Sequence, residues 1–304
     1  MSNLFLPSSY DESLHRLALG IEPIDAARGR RLRHPLYITF DEVPRGLPRP
    51  RVVRHGSGLA VLLHGDDVPA TFALRLFDHG EPHDPALFRA ETNQRRFVPR
   101  RLRITIPGAA VAAADPTGLT LAERIRHRTR SRACRPGLFP GVGYDVSDAV
   151  TGLRGRIVSS DGQPVPWTRL LARRVGDPST APPVAVAHGD DRGEFLLLVE
   201  PGAASMSTLD RTLALTLTVH VPPLPTPLPT PAVQAVDPLW RLPVDTLDLT
   251  TPFGTATAWG VNEQLEAGRV PPSTWTVVAL AQPAPIEFEY GRLVSRGDLR
   301  LVPV

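Results

Sequence analysis

Residues 151–202 read TGLRGRIVSSDGQPVPWTRLLARRVGDPSTAPPVAVAHGDDRGEFLLLVEPG, which is the clearest strand-and-turn pattern in the chain. Its runs LRGRIVS, PWTRLLARR, VAVAH and EFLLLVE are short, as is typical of strands. Turn-forming residues build the two reversals between these runs: Asp161, Gly162 and Pro164 in the first, and Gly189, Asp190, Asp191 and Gly193 in the second. Glycine permits a positive φ and aspartate bonds to nearby backbone, as a tight reversal requires. The stretch therefore predicts antiparallel strands joined by hairpins.

The rest of the chain has the same character. It predicts a mainly β protein with two or more antiparallel sandwich-like or barrel-like modules, an N-terminal arm and proline-rich connectors. We expect six segments: the arm (1–35), a β domain (36–106), an arginine-rich connector (107–150), a β-sandwich (151–221), an extended proline-rich segment (222–250) and a C-terminal β segment (251–304). The connector contains Thr120 and Glu123 at capping-box spacing, which predicts a short helix from about Leu121.

The tetrapeptide His-Gly-Asp-Asp occurs twice, at 64–67 and 188–191, each time after an apolar run. An apolar strand that ends in His-Gly resembles the oxyanion-hole strand of α/β-hydrolases, but the chain lacks their Gly-x-Ser-x-Gly nucleophile elbow. Adjacent aspartates on a tight turn point to different sides, which disfavours a shared metal ion. We therefore interpret both copies as turns, built by Gly65 and Asp66 in the first, and we expect neither catalytic residues nor a cofactor.

The densest cluster of metal-ligand side chains is DHGEPHD at 78–84. Its glycine and proline predict a surface loop, and polar loops between strands are commonly just solvated. A metal ion bound by this loop is the alternative that the sequence leaves open.

All 34 basic residues are arginine, against 31 acidic residues. They concentrate in two windows, RRFVPRRLR at 95–103 and RIRHRTRSR at 124–132. Phe97 is the only aromatic residue in either window, whereas a nucleic-acid interface would interleave aromatic stacking platforms, so we do not expect nucleic acid. We expect these arginines to meet acidic faces of neighbouring subunits: Arg95, Arg96, Arg100, Arg101, Arg103, Arg124, Arg126, Arg128, Arg130 and Arg132.

The stretch at 151–202 resembles the carboxypeptidase-regulatory-like family of transthyretin-like β-sandwiches over about a sixth of the chain. The matching residues are Gly155, Val158, Asp161, Gly162, Pro164, Val165, Asp190, Asp191, Gly193 and Phe195. Trp167 and Arg169 depart from the pattern, because the family usually has small residues there. The resemblance implies a sandwich with Phe195 buried inside, without catalytic residues, that serves as a folding aid, spacer or binding platform.

A broader resemblance concerns the whole layout. The arginine-rich strand RRFVPRRLRI, the connector GLFPGVGYDV and the sandwich that follows look like proteins of phage-tail-like contractile injection systems. This resemblance implies a structural component at the cap or baseplate, which works in a homo-oligomeric ring beside sheath, tube and other tail proteins. The N-terminus has no signal-peptide pattern and no run is long enough to span a membrane, so we expect a cytoplasmic protein without membrane insertion.

The competing hypothesis is a non-catalytic binding module that recognises a glycan, a cell surface or a cargo. The exposure of aromatic residues separates the two hypotheses. Trp167, Trp240, Trp259 and Trp275 clustered on an open face would favour binding, whereas their burial would favour assembly.

Overall fold

The structure is a computed structural model of the 304-residue chain. It describes residues 16–34, 36–47, 49–55, 58–64, 70–78, 94–106, 118, 120–122, 124, 133–146, 150–199, 212–247, 271–281 and 285–303. In this part the chain is mainly β, which confirms the mainly β class that the sequence predicts. Leu121, Ala122 and Arg124 are helical, close to the position where the capping box predicts a helix.

Among the described residues, the first half of the chain contains ten strands: β1 (Arg16–Ile21), β2 (Ile24–Asp25), β3 (Arg30–Arg31), β4 (Leu36–Glu42), β5 (Arg51–Arg54), β6 (Ala60–His64), β7 (Ala70–Asp78), β8 (Arg100–Ile106), β9 (Ala133–Cys134) and β10 (Gly137–Leu138). The described part of the second half contains nine strands and a helix: β11 (Gly152–Val158), β12 (Arg169–Arg174), β13 (Ala185–His188), β14 (Glu194–Leu198), β15 (Thr212–Val221), α1 (Pro231–Val236), β16 (Val244–Leu247), β17 (Thr276–Val278), β18 (Ile286–Glu289) and β19 (Leu293–Arg300).

Two four-stranded sheets, with the orders β5-β6-β1-β9 and β16-β8-β7-β4, share one hydrophobic core, which we call the first core. It is built from alternate side chains of the strands, such as Phe72, Leu74 and Leu76 on β7. A small sheet of order β10-β2-β3 adjoins these strands. Because strand side chains alternate between faces, each sheet offers an apolar face to this core.

A three-stranded sheet of order β14-β11-β19 and a five-stranded sheet share the second core. In the five-stranded sheet, β13, β12 and β15 lie side by side, and β15 also pairs with both β17 and β18. Strand β14 contributes to both cores, because Phe195 and Leu197 face the second core whereas Leu196 packs in the first. The two halves are therefore packed against each other.

The chain passes between its two halves more often than the six segments predicted from the sequence imply. Residues 16–34, expected as an arm, contain three strands, and β1 pairs with β6 and β9. The proline-rich segment includes β16, which runs parallel to β8 in the first half. The C-terminal strand β19 then runs parallel to β11 in the second half. Pairings between such distant residues leave no signal in the local sequence.

Candidate functional site

A buried carboxylate joins the two halves of the chain, in a region that we call the junction. Asp245 on β16 accepts a hydrogen bond from Arg100 Nη2 at 2.7 Å on one oxygen. Its other oxygen accepts a hydrogen bond from Arg169 Nη2 at 2.5 Å. Arg100 Nη1 donates to the carbonyl of Gly137, also at 2.5 Å. Because Arg100 belongs to β8 and Arg169 to β12, one carboxylate holds both sheets.

The charges of this triad depend on one another. Burial alone would raise the pKa of Asp245, but Arg100 and Arg169 outweigh it and lower that pKa to about 2. Burial lowers the pKa of Arg169, which still carries its charge at neutral pH because the ordinary pKa of arginine is far higher. The Arg169 guanidinium also lies 4.5 Å from the centre of the Trp275 ring, a cation–π distance.

An apolar cluster at the same junction also connects the two halves. Its members are Tyr37, Phe77, Val98, Trp167, Leu239 and Leu242, contributed by both halves of the chain. Trp167 has a φ of +61°, an uncommon value for a bulky residue, and its backbone N–H donates to the carbonyl of Asp190 at 3.0 Å. Trp167 and Arg169 thus both lie at the junction.

Arg95 forms a second clamp between the halves. Its Nη1 contacts Asp190 Oδ2 at 2.6 Å and Asp191 Oδ1 at 2.5 Å. Burial raises the pKa of Asp190, although Arg95 acts in the opposite direction. Asp190 also accepts backbone N–H bonds from Arg192 and Glu194, which form the turn between β13 and β14. The second His-Gly-Asp-Asp motif therefore includes both a turn and an anchor for Arg95.

The other predicted interface arginines lie in several environments. Arg101 is paired with Asp41 and Glu42, Arg103 with Glu42 at 3.4 Å, and Arg96 with Asp145 at 3.2 Å. Arg124 is exposed, whereas Arg126, Arg128, Arg130 and Arg132 lie outside the described residues. The predicted role at a subunit interface has to be corrected for Arg100. This residue is 2 % exposed and pairs with Asp245 of the same chain, so it cannot contact a neighbouring subunit. Arg95 likewise has its acidic partners within the chain.

Replacing Arg95 with glutamine is expected to lower the free energy of unfolding by about 1–3 kcal/mol, because buried Asp190 loses its charged partner. The matched control is Arg192→Gln on the same turn, since Arg192 is half exposed and 3.9 Å from Asp190. That change should cost less than about 1 kcal/mol. Urea unfolding measures both variants, and equal losses would contradict the clamp.

The predicted turn residues have the following places. Gly162 has a φ of +84° in the reversal after β11, where Pro164 forms a bridge with Val158. Gly193 has a φ of +73°, and a Cβ there would lie 2.6 Å from the carbonyl oxygen of Ile157, so only glycine fits. Gly189 bridges Phe195, which is fully buried. Gly65 and Asp66 lie outside the described residues.

Sequence reasoning missed a wide cleft of about 1040 Å³ beside the first core. Its charged lining consists of Glu22, Asp25, Arg28, Arg30, Arg31, Arg33, Arg96, Arg135 and Asp145. Six arginines thus face three carboxylates, which leaves an excess of three positive charges. The sequence signal for it is the run RGRRLRHP at 28–35, which lies within the predicted arm.

Hydrogen bonds hold the cleft in shape. Asp25 accepts bonds from the Tyr144 hydroxyl at 2.6 Å and from the backbone N–H of Ala27 at 2.9 Å. These bonds fix the turn between β2 and β3, and the Arg28 guanidinium lies 5.0 Å from the centre of the Tyr144 ring. Burial, followed by the bond to Asp25, raises the pKa of Tyr144, so the phenol remains a donor at neutral pH.

Glu22 and Asp145 pair with part of the arginine set. Glu22 contacts Arg31 Nε at 2.6 Å and Arg135 Nε at 3.0 Å, and Asp145 contacts Arg96. Arg30 and Arg33 are exposed, and neither has an ion pair within the described part of the chain. These two side chains are therefore the ones most available to an anion.

The loop DHGEPHD at 78–84, which the sequence predicts to be solvated with a bound metal ion as the alternative, is described only at its first residue. Asp78 is buried, and its Oδ2 accepts backbone N–H bonds from Arg96 at 2.7 Å and Phe97 at 3.3 Å. His79, Glu81, His83 and Asp84 lie outside the described residues, so the metal question at this loop stays open. Within the described ranges, no group of three or more His, Cys, Asp or Glu side chains is placed to hold a metal ion.

None of the helices in the described part of the chain is long and apolar enough to cross a membrane. No protein-family model, curated protein or solved structure matches this chain.

Proposed function

We propose that this chain is a non-catalytic structural component of a phage-tail-like contractile injection particle, at its cap or baseplate, that acts through protein–protein contacts. The proposal rests on the junction, where two tryptophans and the buried triad of Asp245, Arg100 and Arg169 connect the two halves of the chain. Trp167 is 3 % and Trp275 is 7 % exposed, so their rings support the chain's own interior. A subunit that transmits force to its neighbours benefits from such contacts, because they keep its two halves from separating.

The alternative is a module that binds a glycan, a cell surface or a cargo. Such a module would present aromatic rings on an open face, where they stack on or cover a ligand. Burial of Trp167 and Trp275 supports assembly instead, while Trp240 is partly exposed beneath Arg241 and Trp259 lies outside the described residues.

The proline-rich segment offers a surface for neighbouring subunits. Four large apolar side chains between residues 224 and 236 are exposed, at 51 %, 57 %, 44 % and 72 %: Leu224, Leu228, Val233 and Val236. Helix α1 has no buried residues, so it makes little use of its apolar side chains within the chain. Full burial of such side chains against a partner is worth about 1.5–3 kcal/mol each, enough to drive association when several act together.

This surface predicts a specific assembly defect. The variant Leu224→Ser/Leu228→Ser should fail to join a ring or a complex with sheath and tube proteins, because both apolar contacts are removed. The matched control is Val175→Ser/Val302→Ser, which changes exposed apolar residues at 54 % and 40 % exposure outside the segment. Light scattering gives the mass of each mixture, and thermal unfolding checks that each variant is folded.

The predicted outcome is loss of the complex in the leucine variant and retention in the control. A complex that persists at full mass in the leucine variant would exclude the proline-rich segment as the contact. No complex with any variant or with the unmodified chain would contradict the proposed function itself.

A further inference from the structure

We propose that the arginine cleft binds a carboxylate-rich segment of a protein partner. This inference deepens the proposed function and rests on it, because it assigns one of the contacts through which the chain would assemble. It depends on the cleft's charge, on two exposed arginines that have no ion pair among the described residues, and on the burial of the cleft's aromatic rings.

The charge and shape of the cleft favour an anion. Its six arginines exceed its carboxylates by three, and they surround a concavity rather than a flat surface. Concave, like-charged surfaces focus the electrostatic field and raise the local concentration of the opposite charge. Arg30 and Arg33 add two exposed guanidinium groups without an ion pair among the described residues.

The pairs already present in the cleft prepare it for carboxylates. Glu22 holds Arg31 and Arg135, so these side chains are oriented before a partner arrives. Orientation in advance reduces the entropy that binding would otherwise cost. The planar guanidinium fork matches a carboxylate through two parallel N–H bonds, and Glu22 shows that this cleft accommodates that group between two arginines.

The same lining disfavours single-stranded nucleic acid. Single-stranded nucleic acid binds through aromatic stacking, but Phe97 and Tyr144 in this cleft are 4 % and 6 % exposed and have no open ring face of useful size. An acidic peptide spreads its charge along the chain, so its carboxylates can contact the arginines while they stay away from Glu22 and Asp145.

The test measures the binding of a fluorescein-labelled hexaglutamate peptide to the full chain by fluorescence anisotropy at low salt. Arg30→Gln/Arg33→Gln is expected to weaken binding at least tenfold, because both exposed guanidinium groups lose their charge. The matched control is Arg51→Gln/Arg296→Gln, which removes the same charge from exposed positions outside the cleft. It should weaken binding less than twofold, and both variants should unfold at the temperature of the unmodified chain.

Competition separates the possible ligands. Unlabelled hexaglutamate is expected to displace the probe at lower concentration than tripolyphosphate or a thymidine oligonucleotide of equal charge. Displacement at lower concentration by either competitor, equal weakening in the control variant, or no binding of the probe would overturn the inference.

The mass of the assembly distinguishes this inference from the proposed function. In one outcome, the Arg30→Gln/Arg33→Gln variant fails to bind the peptide and still forms a normal ring or complex. That outcome would leave the proposed function unchanged and would show that the cleft is not one of the assembly contacts. A complex lost in that variant and kept in Arg51→Gln/Arg296→Gln would place the cleft at the contact.

Discussion

Replacing Asp245 with asparagine is expected to lower the free energy of unfolding by about 3–5 kcal/mol, because two buried guanidinium groups lose the counter-charge that they share. Arg100 and Arg169 are each 2 % exposed, so water cannot replace the lost carboxylate. Arg169 already has two buried N–H groups, at Nε and Nη1, without an acceptor in the described part of the chain. The described residues therefore offer Arg169 no further acceptor that could compensate for the lost carboxylate charge.

Urea unfolding followed by circular dichroism measures this loss. The matched control is Asp298→Asn, which breaks the exposed pair between Asp298 and Arg156, with side chains 34 % and 42 % exposed. Because solvent screens that pair, its removal should cost less than about 1 kcal/mol. Equal losses in the two variants would contradict a buried triad that joins the halves.

The pH dependence of the same variant provides a further check. The pKa of Asp245 falls from 3.8 to about 2 on folding, so this carboxylate stabilises the folded chain above pH 3.8 and loses that effect as the pH falls towards 2. The difference in stability between the unmodified chain and Asp245→Asn should therefore narrow as the pH decreases from about 4 to 2.

Replacing Phe195 with alanine is expected to cost about 3–5 kcal/mol, through lost burial and the cavity left in the second core. Phe195 is fully buried, and a Cβ on Gly155 would lie only 3.2 Å from its ring, so the site is tightly packed. The control Leu198→Ala, on the same strand but only partly buried, should cost clearly less. The free energy of unfolding in urea measures both, and a loss below about 1 kcal/mol for Phe195→Ala would show that the second core does not depend on this ring.

The elements that the sequence predicts are those with local signals. The mainly β class follows from short apolar runs, and the chain reverses at 159–163 and 190–193, where Gly162 and Gly193 have positive φ. Turn chemistry is encoded within a few residues, so it can be read without knowledge of the rest of the fold. The same holds for the helical residues near Leu121, which follow a local capping pattern.

The junction could not be predicted because its partners are far apart along the chain. Asp245 lies 145 residues from Arg100 and 76 residues from Arg169. A window rich in arginine shows where positive charge is concentrated, but it does not show which carboxylates fold against it. The one local hint was the departure of Trp167 and Arg169 from the pattern of the family that 151–202 resembles, since both residues serve contacts outside that stretch.

The cleft was missed for a related reason. The sequence predicts an arm that includes residues 28–33, whereas in the structure β1 belongs to a four-stranded sheet and β2 and β3 form a small sheet with β10. Arg135 and Arg96 join the same cleft from distant parts of the chain. A concave arginine site therefore exists only once these segments are folded together.

The most direct test of the proposed assembly role is the mass of the 304-residue chain by sedimentation velocity at moderate salt, alone and mixed with sheath and tube proteins of a contractile injection particle. The proposal predicts a defined ring of this chain or a stable complex with one of those proteins. A single monomeric species that remains unchanged in every mixture would contradict it.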